Sequence, residues 1–422
     1  MGDTFPYVPL EALATITMGQ SPDSDRVNGE ENGLPFLQGC ADFGRRFPNP
    51  RAYCSPPLRV ARQRSTLISV RAPVGTINQA DQDYCIGRGL GAVLARPDVA
   101  DDYFLLNAIL VNVDYLHRRS QGSTFLAISY KDLSCLSVPS PARGVQSRIA
   151  EILSTVDEAI EQTEALIAKY QQIKAGLMHD LFTRGVTPDG RLRPPRDQAP
   201  HLYKESPLGW IPKEWGVRPC AQVCEMITVG IVIRPAQYYV AEGIPAFRSA
   251  NIRETGIDLS DLVYIAPHSN AFLAKSQVQP GDVLTVRTGY PGTSAVVPPE
   301  FAGANCVDVL ISRPRPSVVL PDFLASWINS SFGKDQVLRT QGGLAQQHFN
   351  VGELRDLLVI LPEMSEQVGI VGRLAAVSNK LGEERSLVEK SQQRKNGLMH
   401  DLLTGRVRVP IPEVEEALVL CP

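Results

Sequence analysis

Lys174–Val186, KAGLMHDLFTRGV, and Lys395–Val407, KNGLMHDLLTGRV, are two copies of one segment. Their core GLMHDL is identical at Gly176–Leu181 and Gly397–Leu402, 221 residues apart in a chain of 422. A repeat of that period is too long for a solenoid and long enough for each copy to belong to its own domain. The expected fold is therefore α+β, with two similar halves that each close on a long helix.

Upstream of the first copy, Gln146–Phe182 contains no proline and only one glycine. A four-three spacing runs through Ile149, Leu153, Val156, Ile160, Leu177 and Leu181, with Thr163 and Lys174 as polar breaks. At offset 221 the same seam returns as Ile370, Leu374, Val377, Leu381, Leu398 and Leu402, with Glu384 opposite the Thr163 slot and Lys395 opposite Lys174. A narrow apolar seam on a helix about 55 Å long requires a partner helix. The two helices are expected to pack on each other, antiparallel, as a coiled coil about a pseudo-twofold axis.

Residues 1–145 instead carry short apolar runs broken by Pro and Gly, such as STLISVRAPVG (65–75), which read as strands and turns. DDYFLLNAILVN (101–112) reads as one short helix. The same order recurs in 217–363, where LTVRTGYPGT (284–293) follows LISVRAPVGT (67–76) and DFLASWIN (322–329) follows YFLLNAIL (103–110). Thr183–Pro212 is rich in Pro, Gly and charge and is expected to lack internal secondary structure. The expected division is 1–145 and 213–363 as globular domains, 146–184 and 364–404 as helices, 185–212 as linker and 405–422 as tail.

Composition excludes several classes. The chain is 43% hydrophobic and 21% charged with net charge −3, so no global basic signal is present. Eight scattered cysteines include no CxxC pair, which argues against zinc and disulfides and for reduced thiols. MGDTFPYVPL has neither a basic nor an apolar leader character, Pro6 breaks the myristoylation pattern, and no stretch has the ~18 apolar residues of a membrane helix. Phosphate-loop, HExxH and GxSxG motifs are missing. Gly87–Gly91, GRGLG, reads as a tight turn between strands, and His179 and His400 as helix-end packing residues rather than catalysts.

The positive signal is local. Phe43–Arg71 holds Arg45, Arg46, Arg51, Arg59, Arg62, Arg64 and Arg71 and no acidic residue. Arginine suits bidentate contacts to phosphate and guanine. Of these arginines, all but Arg59, together with Arg88 and with Ser123 and Thr124 in the loop SQGSTFLAIS (120–129), form the first candidate DNA surface. The second comprises Arg248, Arg253 and Arg287, set among Glu254, Asp258, Asp261 and Asp282, and Gln341, Gln346, Gln347 and His348 of RTQGGLAQQHFN (339–350). Glutamine can bind adenine bidentately. Either set could equally be solvated loop, which leaves a non-catalytic scaffold or interaction protein as the alternative.

YKESPLGWIPKEW (203–215), the two GLMHDL helix ends and LLTGRVRV (402–409) together resemble the specificity (S) subunits of type I restriction-modification systems. That resemblance implies two target recognition domains, each reading one part of a split DNA site. It implies two spacer helices that dock two methyltransferase (M) subunits, with restriction (R) subunits completing the complex. It further implies a cytoplasmic, non-catalytic chain without cofactors of its own, AdoMet, ATP and Mg²⁺ belonging to the partners.

Overall fold

The computed structural model describes residues 5–120, 127–340 and 348–410. Two compact units account for the chain: Met1–Glu164 with Ser386–Pro422, and Ala165–Arg385. The division falls inside the long helices, so each unit combines one globular domain with part of each helix.

The first unit is built on strands β1 (Ala14–Met18), β2 (Leu34–Leu37), β3 (Thr66–Ser69), β4 (Ile77–Gln79), β5 (Tyr84–Ile86) and β6 (Leu90–Ala95), followed by helices α1 (Asp102–Val111) and α2 (Arg143–Thr183). β1, β6, β3 and β4 form an antiparallel sheet in that order. β2 and β5 pair in parallel in a second sheet, Phe36 opposite Cys85 and Leu37 opposite Ile86. Asp101 caps α1, its carboxylate accepting from the backbone N–H groups of Tyr103 and Phe104 at 3.0 and 3.1 Å.

The second unit repeats this order with β7 (Cys224–Val229), β8 (Ile244–Phe247), β9 (Val283–Val286), β10 (Ser294–Val296), β11 (Asn305–Cys306) and β12 (Val309–Pro314), then α3 (Pro321–Asn329) and α4 (Met364–Leu403). Here the antiparallel order is β7, β12, β9, β10, and β8 pairs in parallel with β11. The two sheets thus share one topology although few of their side chains match.

Within each unit the segments of α2 and α4 run antiparallel. In the first, Ile149 and Leu153 share one core with Met399, Leu402 and Leu403, and Lys395 meets Asp157 at 2.6 Å. In the second, Leu177 and Leu181 pack with Ile370 and Leu374. Ile160, Leu381 and Leu402 are buried, and Val156, Leu177, Val377 and Leu398 are half-buried. Phe182, Met399 and Leu403 lie off the seam yet are buried, because the helix ends also pack on the domains; Phe182 meets Phe323 and Trp327 edge-on.

One polar weld is made twice. Buried Gln146 donates to the carbonyls of Val99 and Pro141 at 3.1 and 2.8 Å and accepts from the N–H of Asp101 at 3.0 Å. Gln367, 221 residues later, donates to Val318 and Pro362 at 3.0 Å each and accepts from Leu320 at 2.9 Å. A buried amide with all three bonds made fixes where the domain joins its helix.

The linker departs from expectation. Tyr203–Ser206 and Gly209–Pro212 form an antiparallel hairpin, and the segment folds onto the start of α4. Glu366 accepts from the Val186 N–H at 2.7 Å and the Trp215 indole at 3.0 Å, and it pairs with buried Arg193. Gly185 has φ 65°, and a Cβ there would collide with this same Glu366 carboxylate. Charge and proline density thus read as disorder where a single buried carboxylate organises the segment.

Candidate nucleic-acid interface

The arginine-rich stretch separates into two groups. Arg45 ion-pairs with Glu164, and Arg46 lies 3.3 Å from Glu161, both carboxylates on α2. Arg46 also sits over the rings of Phe47 and Tyr103 at 5.1 and 5.9 Å. Arg62 pairs with Asp83 at 2.6 Å, and Arg64 with Asp102 at 2.7 Å. Burial tends to raise the Asp83 carboxyl, but the Gln63 N–H and Arg62 outweigh it and hold it below its ordinary value. Burial lifts Asp102 above its ordinary value despite Arg64. These four arginines tie the domain together and to its helix.

Arg51, Arg59, Arg71 and Arg88 are different. All four are exposed, and none has a side-chain ion pair among the described residues. Arg71 and Arg88 sit at one end of the antiparallel sheet, on the turns that follow β3 and β5. The Val70 N–H donates to the Gly89 carbonyl at 2.9 Å and holds these turns side by side. Glycine is needed at 89 because a Cβ would stand 2.7 Å from the Gln38 carbonyl oxygen. Gln38 in turn donates to Ser21 at 3.1 Å, placing further polar groups beside Arg88. Gly87–Gly89 therefore turn the chain between β5 and β6, and Leu90 and Gly91 already belong to β6.

The same end of the second sheet has another chemistry. Arg287 is held by Asp308 at 2.7 Å, Arg248 by Asp261 at 2.7 Å and Arg253 by Asp258 at 3.6 Å. Glu254 pairs with Lys334; at the opposite end of the sheet Asp282 pairs with Arg313 at 2.8 Å. His348 Nδ1 meets the Thr288 hydroxyl at 2.7 Å. Above them project Tyr290, 82% exposed on the turn after β9, and Ile233, 79% exposed in the loop after β7, beside exposed Val232 and Arg234. Nothing in the local sequence pattern marks Ile233, Arg234 or Tyr290 as surface residues. IVIR looks like a continuing strand, and only Gly289 and Gly292, with φ of 94° and 84°, mark the turn that lifts Tyr290 into solvent.

Ser123, Thr124, Gln341, Gln346 and Gln347 lie outside the described residues. Their borders correspond closely. Ala127 bridges to Arg71 where His348 meets Thr288. Immediately afterwards Ser129 and Asn350 each close a capping box, with Asp132 and Glu353.

Among the described residues no three His, Cys, Asp or Glu side chains gather as a metal site, and no helix is long and apolar enough to cross a membrane. Cys220 and Cys224 are free thiols with sulfurs 3.7 Å apart. His179 stacks on Phe332 at 5.6 Å, and His400 meets Arg406 at 2.9 Å, both in helix-end packing.

Residues 60–172 match the type I restriction modification DNA specificity domain. The chain is 21% identical to the EcoBI type I restriction enzyme specificity subunit of Escherichia coli, over 96% of this chain and 86% of that one. The chain is thus similar, over nearly its whole length, to a type I restriction-modification specificity subunit. Another relative, named as the MjaX specificity subunit of Methanocaldococcus jannaschii, is 40% identical over 176 residues, 41% of each chain. The S subunit of M. genitalium shares the fold with a TM-score of 0.58 at 13% identity, over 96% of this chain and 97% of its own. A chain from a structure concerned with complex assembly of a type I system gives 0.54 at 15% identity, covering 96% and 99%.

Proposed function

We propose that this chain is a type I specificity subunit that reads a bipartite double-stranded DNA site, one half per globular domain, and docks two methyltransferase subunits, with restriction subunits joining the complex. The observation that carries this reading is a duplicated sheet whose topology is kept while the residues at one end diverge. Arg71 and Arg88 occupy that end in one domain; Ile233, Arg234, Tyr290 and His348 occupy it in the other. A common frame with different edges suits two readers of different sequences. Exposed Arg51 and Arg59 suit phosphates, which position the protein without reading bases. Paired Arg45, Arg46, Arg62 and Arg64 serve the frame. Catalysis, AdoMet, ATP and Mg²⁺ belong in this proposal to the partner subunits, acting together in the cytoplasm.

Long-read methylation mapping of the host genome tests the proposal. Deleting this chain should abolish methylation at one bipartite motif and leave other motifs unchanged. Persistence of every methylated motif would refute it.

A further inference from the structure

The two reading edges differ in chemistry as well as in sequence. In the first unit, Arg71 and Arg88 stand exposed on turns that the Val70–Gly89 hydrogen bond holds together, beside Ser21 and Gln38. No carboxylate pairs with either guanidinium among the described residues. In the second unit the cation of the corresponding turn, Arg287, is already held by Asp308. What projects instead is Ile233 and Tyr290, about four-fifths exposed each. The loop bearing Ile233 and the turn bearing Tyr290 are tied to one end of the sheet. Gly230 N–H donates to Val309 at 2.9 Å, Asp308 N–H to Ile231 at 3.0 Å, and Phe349 N–H to Arg287 at 3.0 Å.

Guanine presents two acceptors, N7 and O6, in the major groove and is read by arginine; thymine presents a C5-methyl group and is read by apolar contact. Extending the bipartite reading proposed above, we propose that the first domain selects guanine through Arg71 and Arg88, while the second selects thymine methyls through Ile233 and Tyr290. Arg234, exposed beside Ile233 and without an ion pair, anchors a neighbouring phosphate. Equivalent ends of one fold thus select opposite base chemistry, and the two halves of the site differ in composition accordingly.

The test uses the full chain assembled with its methyltransferase subunits and duplexes carrying the mapped site. Replacing thymine by uracil removes only the methyl group; replacing guanine by 7-deazaguanine removes only N7. Uracil in the second half-site should weaken binding about three- to tenfold, and the loss should vanish in Tyr290→Ser or Ile233→Ser complexes. 7-Deazaguanine in the first half-site should weaken binding about tenfold, and the loss should vanish in Arg71→Gln or Arg88→Gln. Uracil in the first half-site and 7-deazaguanine in the second should have little effect. Bipartite binding that ignores these substitutions, or responds in the opposite halves, would overturn the base assignment while leaving the two-reader function standing. Failure of the wild-type complex to prefer its mapped site would overturn both.

Discussion

Lys395 and Lys174 are the same residue of the same repeat, yet their surroundings are opposite. Lys395 meets Asp157 at 2.6 Å, and the Tyr103 hydroxyl donates to that same carboxylate. Burial and Asp157 together push the Tyr103 phenol well above its ordinary pKa. At offset 221, Asp157 becomes Ser378, Glu161 becomes Gly382 and Glu164 becomes Arg385. The three α2 carboxylates that hold Lys395, Arg46 and Arg45 in the first unit are therefore absent from the second. Lys174 is left half-buried beside a cavity lined by Glu254, Ser378 and Arg385, with no carboxylate within ion-pair distance. Burial lowers its pKa, against the pull of Glu254. The second unit gains its polar anchor elsewhere, from Glu366 with Arg193 and Trp215. Position 145 of the first unit, the counterpart of Glu366, is Val145, packed against an apolar core. A duplicated frame therefore keeps its topology while each copy chooses its own electrostatic fastening.

The sharpest break of this comparison is Glu366→Ala. It strands a buried guanidinium, an indole N–H and a backbone N–H, and should cost the second unit about 3–5 kcal/mol. Val145→Ala should cost the first about 1 kcal/mol. All three tryptophans, Trp210, Trp215 and Trp327, lie in the second unit, so their fluorescence in a denaturant titration follows that unit alone. Hydrogen exchange on the full chain follows the first. Equal costs would erase the proposed difference.

Gln146→Leu and Gln367→Leu probe what the copies share. Each leaves three backbone groups unpaired and should cost its own unit about 2–3 kcal/mol, with similar exchange signatures. A large effect at one site and none at the other would show that the two welds are not equivalent.

The lysines come next. Lys395→Met leaves Asp157 without its cation and should cost about 1–3 kcal/mol. Lys174→Met removes an unpaired charge and should be neutral or stabilising. The pH dependence has a defined sign. With the folded pKa below the unfolded value, the folded state binds fewer protons between the two. The cost of burying Lys174 is therefore fully present at neutral pH and shrinks as pH rises through the lowered pKa. Melting curves across alkaline pH should show this slope in wild type and lose it in Lys174→Met.

The smallest effect separates framework arginines from phosphate contacts. Arg51→Ala and Arg59→Ala should each reduce the slope of log affinity against log salt by about 0.9 without changing stability. Arg45→Ala and Arg46→Ala should loosen the first unit and leave that slope nearly intact. The reverse pattern, measured by titrations at several salt concentrations, would return Arg45 and Arg46 to the DNA.

Periodicity and repetition made the architecture legible. The Ile149 and Ile370 seams, the GLMHDL ends and the matched strand segments are local patterns that survive duplication. Ion pairing is not local. Arg45 is separated from Glu164, and Arg64 from Asp102, by stretches over which sequence carries no distance information, so the run reads as one surface although four of its members are ion-paired to carboxylates of the same unit. Tyr290 and Ile233 were invisible for the converse reason: apolar residues in a strand-like context read as core, and only the turn geometry exposes them. The buried role of Glu366 was hidden in a stretch whose composition resembles a linker.

The most direct test of the two-reader account is a methylation map from cells in which residues 1–142 are replaced by the recognition domain of a relative with a known half-site. The account predicts that the corresponding half of the motif becomes the donor's half and the other half stays as it was. A motif in which both halves change, or neither does, would contradict it.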